Sequence, residues 1–249
     1  MKSWFRRWHL NRGSQTALQP SQLSLIREHV PAFGRLSTDL KVRYQAAVES
    51  LINNRRWEGC DGLEVTLEMK TIVSAHAALM LLGTKSYCFE SVNTILLFPG
   101  IVERRQQGRL SGNIGEAWAN GGIVLSWPDV RSIGRFRQGH NVVIHEFAHH
   151  LDGLDGEMGG SIPFNDVKDQ ASWDEVSTRE LQRLVRDVNE RRPTLLDPYG
   201  ATNHAEFFAV ACECFFESPH EMRQEHPELF RLLIRFFHLD PSDWQVTAG

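Results

Sequence analysis

Two histidines four residues apart, with a glutamate directly after the first, make His145-Glu146-Phe147-Ala148-His149 the stretch best suited to hold a metal ion. On an α-helix, positions i and i+4 share a face, so both imidazoles can aim a ring nitrogen at one point. Glu146 then stands at the edge of that face. From there its carboxylate can activate a zinc-bound water without taking a coordination position, the general-base arrangement of HExxH peptidases. Val142, Val143, Ile144, Phe147, Ala148 and Leu151 supply an apolar helix body, and Gly153 and Gly156 can end it. The bland alternative is a core helix with histidines on its polar edge.

A catalytic zinc takes three protein ligands and keeps a fourth position open. Three residues after His149 stands Asp152, without an HExxHxxGxxH continuation, so the third ligand must come from a later element. The segment from Tyr199 to Glu217 reads as a helix capped near Thr202 or Asn203. Glu206 is its best ligand candidate. Glu213, seven residues on, shares its face, so one can ligate while the other hydrogen-bonds a ligating histidine from behind. His76, set among Ala and Leu, reads as a hydrogen-bonded core residue. The acidic, glycine-rich run from Asp152 to Gly160 lacks the ligand spacing of a calcium loop and reads as a flexible loop beside the site.

His145-Glu146-x-x-His149 followed by Tyr199-Gly-x-Thr-Asn-x-Ala-Glu206-Phe-Phe-Ala resembles the zinc peptidases of the Mlc titration factor A family. The Tyr-to-Glu segment is also similar to that of the anthrax lethal factor catalytic domain. The first resemblance extends over most of the chain. It includes the Ala/Leu-rich helix around His76, the Leu-Ser-Trp-Pro-Asp run at 125–129 and the Phe-Phe-Glu-Ser-Pro run at 215–219. It implies one Zn2+ per chain held by His145, His149 and Glu206, with Glu146 as general base and Tyr199 stabilising the tetrahedral oxyanion. It further implies aminopeptidase-type activity on peptide substrates and binding of an Mlc-like transcriptional repressor. A regulatory binding protein that sequesters a repressor, with proteolysis secondary, is the alternative. A member of that family adds a His upstream of the hairpin as a fourth metal contact; this chain has Gln107 or a neighbour there.

These residues need a frame. Helical spacing of apolar residues predicts helices over about 37–53, 68–82, from Asp169 or Ser172 to before Pro193, and over Pro227 to Leu239. Val92 to Phe98 reads as a buried strand, and Glu116-Ala117-Trp118 with Ile123 to Trp127 as a hairpin around a Gly-containing turn. An edge of that hairpin, at Ile123, Val124 and Leu125, is the candidate strand for pairing with an extended peptide substrate. The expected fold is α+β, a mainly helical zincin-like metallopeptidase with a small mixed β-sheet beside the HExxH helix.

Composition narrows the remaining classes. At 249 residues, with 41% hydrophobic and 23% charged, the chain has ordinary globular make-up. Residues 1–36 read as a partly flexible N-terminal arm and 37–249 as a single metallopeptidase domain. A formal net charge of −4 gives no electrostatic basis for direct nucleic-acid binding. No apolar run is long enough to span a bilayer, and the basic, aromatic start lacks the pattern of a secretory signal. The four cysteines form no CxxC pair, which suits reduced thiols in the cytoplasm.

Overall fold

Ser37, Thr66, Asn141, Asp166 and Asn203 each precede a helix, and each side chain accepts a hydrogen bond from a backbone N–H two or three residues on. These oxygens satisfy donors that a first helical turn leaves open, so these starts are set by local sequence. The computed structural model describes residues 17–84, 89–100, 121–134, 139–155, 159–162, 164 and 166–244. In chain order its helices are α1 (Pro20–His29), α2 (Ala32–Arg35), α3 (Thr38–Asn53), α4 (Leu67–Leu79), α5 (Trp127–Ser132), α6 (Val142–Asp152), α7 (Val167–Asn189), α8 (His204–Glu217), α9 (Pro219–Glu225) and α10 (Pro227–Phe237). The strands are β1 (Arg56–Gly59), β2 (Thr94–Phe98) and β3 (Gly122–Ser126). The fold is α+β and mainly helical. It divides into two compact units, Met1–Ser132 with Trp244–Gly249, and Ile133–Asp243.

In the first unit α3 lies against α4, and the fully buried Tyr44 donates its hydroxyl hydrogen to Ala75 O at 2.7 Å. Helix α1 packs on α4 as well: Ile26 is buried, and Gln22 Nε2 donates to Thr71 Oγ1 at 3.2 Å. Within the stretch read as an arm, Val30, Phe33 and Leu36 are buried too. The order β1-β2-β3 makes a parallel sheet, with Trp57, Ile95 and Ile123 in register. Leu96 and Val124 form one buried face with Cys60 and Phe98. Entry into β3 depends on Gly121, whose φ is +75° and whose Cβ position would lie 2.0 Å from Ser91 O. Only glycine fits there.

The three described strands run parallel, with β3 paired to β2. The other arm of the expected hairpin, Glu116 to Trp118, lies outside the described residues. Arg56–Gly59 is a strand of four residues, too short and too polar to show a period of two. The chain at Trp127 turns directly into α5, where Pro128 suits a first helical turn and Ser126 Oγ accepts from Asp129 N at 3.3 Å.

In the second unit α6 and α8 are the closest-packed pair, and they run antiparallel: His149 meets Glu206, whereas Asn141 meets Glu217. Away from α6, α8 buries Phe207, Phe208, Phe215 and Phe216. Rings from α7 and α10 close around them, with Trp173 edge-on to Phe208 at 5.7 Å and Phe215 stacked on Phe237 at 5.5 Å. Helix α7 starts earlier than expected because Asp166, not a later residue, caps it. The Glu180 carboxylate accepts from His226 Nδ1 at 2.8 Å, tying α7 to the junction of α9 and α10. Among the described residues no helix is long and apolar enough to cross a membrane.

Tyr44 tests the packing of α3 on α4. Tyr44→Phe removes one buried hydrogen bond and little volume, so urea unfolding should show a loss of about 1 kcal/mol. An unchanged unfolding midpoint would show that the hydroxyl carries no net stability.

Candidate metal centre

Helix α6 carries His145 and His149 on one face, as their spacing requires. Glu206 comes to the same point from the first turn of α8. A carboxylate there is favoured by the positive end of the helix dipole, and the Asn203 side chain fixes the turn by accepting from Glu206 N at 2.9 Å. His145 Nε2 lies 3.0 Å from Glu206 Oε2 and 3.1 Å from His149 Nε2, and His149 Nε2 lies 3.2 Å from the same carboxylate oxygen. The three atoms form a nearly equilateral triangle. In a tetrahedral site with ligand bonds of ~2.0–2.1 Å, ligand atoms stand ~3.3–3.4 Å apart, within a few tenths of the triangle's sides.

The protonation of His145 strengthens the fit. Its Nδ1 sits 2.6 Å from Glu213 Oε1, and an ionised carboxylate only accepts, so the ring proton belongs on Nδ1. Nε2 of the neutral ring then turns a lone pair toward another carboxylate oxygen. Converging acceptors of this kind are what a bound cation resolves, and His145, His149 and Glu206 are the metal-ligand cluster found among the described residues.

Behind His145, the second oxygen of Glu213 accepts from Asn141 N at 2.5 Å and from His140 Nδ1 at 3.0 Å. Burial opposes ionisation of Glu213, but the bonds from His140 and His145 outweigh it and hold its carboxyl below the usual range. Glu206 follows the same pattern. Burial raises its pKa, the adjoining imidazoles of His145 and His149 outweigh that effect, and the net position is well below the ordinary carboxylate value. His140 is raised, first by its bond to Glu213, with burial acting the other way.

Tyr199 sits on the 3-10 turn Pro198–Ala201, directly before α8. Asp197 Oδ1 accepts from Tyr199 N at 2.8 Å, and Thr202 Oγ1 donates to Tyr199 O at 2.7 Å. The exposed phenol stands 3.4 Å from Glu206 Oε1, with its ring centre 6.1 Å from that of His145. Glu146 is buried on α6 beside the first histidine.

The remaining candidates belong to other elements. Ile123, Val124 and Leu125 belong to the first unit and are buried on β3. His76 is buried in α4, its pKa pushed down to about 3 by burial, with a contribution from His29. Gln107 lies outside the described residues, as do 156–158 of the loop after α6; Gly153–Asp155 at its start forms a 3-10 turn. Sequence reasoning missed His140, Asn141 and Glu217. The available signal was Glu217 at i+4 from Glu213, which extends the acidic face of α8 by one turn.

A carboxyl whose folded pKa is lowered gives stability that is complete above its unfolded value, ~4.3, and lost as pH falls through the folded one. Chelator-treated protein should therefore lose stability below pH ~4.3, and Glu213→Gln should flatten this acid limb in urea unfolding. An equally steep limb in the variant would remove Glu213 as a source of the acid sensitivity.

The sequence pattern of the family described as glucose-regulated metallo-peptidase M90 matches residues 3–238. An uncharacterized protein of Synechocystis sp. is 30% identical over 245 residues, 94% of this chain and 89% of that protein. Mlc titration factor A of Serratia proteamaculans is 33% identical over 192 residues, 72% of each chain. The protein of the same name from Salmonella arizonae is 26% identical over 225 residues, 86% of this chain and 89% of the relative. A metallopeptidase acts on peptides with a divalent metal, and the ligand triangle matches that requirement in its donor types. By the extent of the family match, the chain belongs to the glucose-regulated metallo-peptidase M90 family.

Proposed function

We propose that the chain is a zinc-dependent peptidase of aminopeptidase type, with His145, His149 and Glu206 holding one Zn2+. Glu146 is its general base and Tyr199 its oxyanion donor. The convergence of three ligand atoms at 3.0, 3.1 and 3.2 Å carries this reading. Two imidazoles and one carboxylate are a donor set that catalytic zinc sites use.

When bound, the zinc supplies Lewis-acid polarisation of the scissile carbonyl and lowers the pKa of water. The chain's own residues do the rest. Glu213 fixes the His145 tautomer and ring direction through the Nδ1 contact. Glu146 takes the proton of the attacking water and passes it to the departing amine. The Tyr199 hydroxyl donates to the oxygen on which negative charge develops, a contribution of ~3 kcal/mol for such donors.

A second reading has support in the relatives' names, since two are called Mlc titration factor A. We infer on that ground that the chain also binds an Mlc-like transcriptional repressor. A regulatory binding protein with secondary proteolysis is the limiting form of this reading. The free thiols of Cys60, Cys212 and Cys214 suit a reducing cytoplasm, where such a partner would be met.

Glu146→Gln should retain metal while lowering kcat by about 10²–10⁴-fold on a peptide with a free amino terminus. Blocking that terminus by acetylation should abolish cleavage by the wild type. Hydrolysis by Glu146→Gln at the wild-type rate would overturn the catalytic assignment, and equal cleavage of the blocked peptide would overturn the aminopeptidase one. Tyr199→Phe should lower kcat by about 10²-fold at unchanged metal content. In a pulldown, Glu146→Gln should capture an Mlc-like repressor as well as the wild type does. Capture at background by both would remove the binding reading.

A further inference from the structure

Glu217 is the last residue of α8, where the negative end of the helix dipole disfavours a carboxylate. Its contact offers a reason for its being there. Asn141 Nδ2 donates to Glu217 Oε1 at 2.6 Å, across 76 residues of sequence. The same Asn141 caps α6 through Oδ1 on Ile144 N, at 3.1 Å, and donates its backbone N–H to Glu213. Gly139, with φ +84°, lies beside the Ser218 side chain at the end of α8 and gives the chain the turn that delivers residue 141.

Glu206, Glu213 and Glu217 follow at spacings of seven and four, one face of α8. Helix α6 meets this face in reverse order: His149 and His145 on Glu206, His145 on Glu213, Asn141 on Glu217. Sliding α6 along α8 would break the contacts at all three glutamates together. The contact farthest from the metal ligands is therefore coupled to the nearest ones.

We propose that Asn141 and Glu217 are positioning residues that fix the axial register of α6 on α8 and thereby the geometry of the metal-ligand triad. The inference rests on the metal-binding reading of His145, His149 and Glu206. It predicts that metal affinity depends on a side-chain contact that touches neither the ion nor a ligand. The backbone bond from Asn141 to Glu213 does not depend on the Asn141 side chain, so side-chain substitutions leave that link in place.

The test is zinc affinity of the folded full chain, measured by chelator competition, together with the visible spectrum of the cobalt-substituted protein. Glu217→Ala and Asn141→Ser should each bind zinc about tenfold or more weakly than wild type, with displaced cobalt bands. Serine keeps an oxygen for the α6 cap, so Asn141→Ser carries the test if Glu217→Ala does not fold. Glu217→Gln retains the acceptor and should stay within about threefold of wild type. A loss of thermal stability alone, with zinc affinity and cobalt bands unchanged in both disruptive variants, overturns the proposal, as does Glu217→Gln binding as weakly as Glu217→Ala. Glu206→Ala separates the two levels. If it loses zinc while the disruptive variants keep it, only the positioning role fails; if it binds zinc as wild type does, the site reading fails and takes this inference with it.

Discussion

The interaction on which the second unit depends is the buried carboxylate of Glu213 against His145 Nδ1 at 2.6 Å. A carboxylate with almost no exposure is costly unless its oxygens are satisfied, and here one oxygen faces an imidazole while the other takes a backbone N–H and a second imidazole. Removing any partner would leave charge uncompensated in the interior. The arrangement is therefore close to all-or-none, and it sets α6 and α8 in one relation. A helix pair joined only by apolar side chains could tolerate slippage at less cost.

That constraint explains how α8 can be both greasy and acidic. Its aromatic side packs on α7 and α10, while Glu206, Glu213 and Glu217 line the side toward α6. Burial of the aromatic side drives association without direction; the acidic line supplies direction. The same division of labour is seen at Tyr199. Its backbone is pinned by Asp197 and Thr202, which gives the exposed phenol beside Glu206 a fixed origin.

Much of this was legible in the order of residues. His145 and His149 at i and i+4, and Glu206 and Glu213 at i and i+7, are periodicities of a single helix, and a helix keeps its faces whatever it packs against. The caps at Ser37 and Asn203 are equally local. Strand β1 escaped notice because four half-exposed residues carry no readable period, and α5 because the Leu-Ser-Trp run looks like a continuing strand. His140 and the Asn141 to Glu217 bond were invisible for another reason. Their meaning lies in a partner more than seventy residues away, and no periodicity within one element reports it.

The ligand atoms that meet at the candidate metal centre come from positions 61 residues apart. A chain emerging from the ribosome thus carries the whole HExxH helix well before its third candidate ligand, Glu206. Synthesis must pass Glu206, and α8 must dock along its acidic line, before the triad exists. The candidate site is in this way a product of tertiary folding, which neither α6 nor α8 can supply alone.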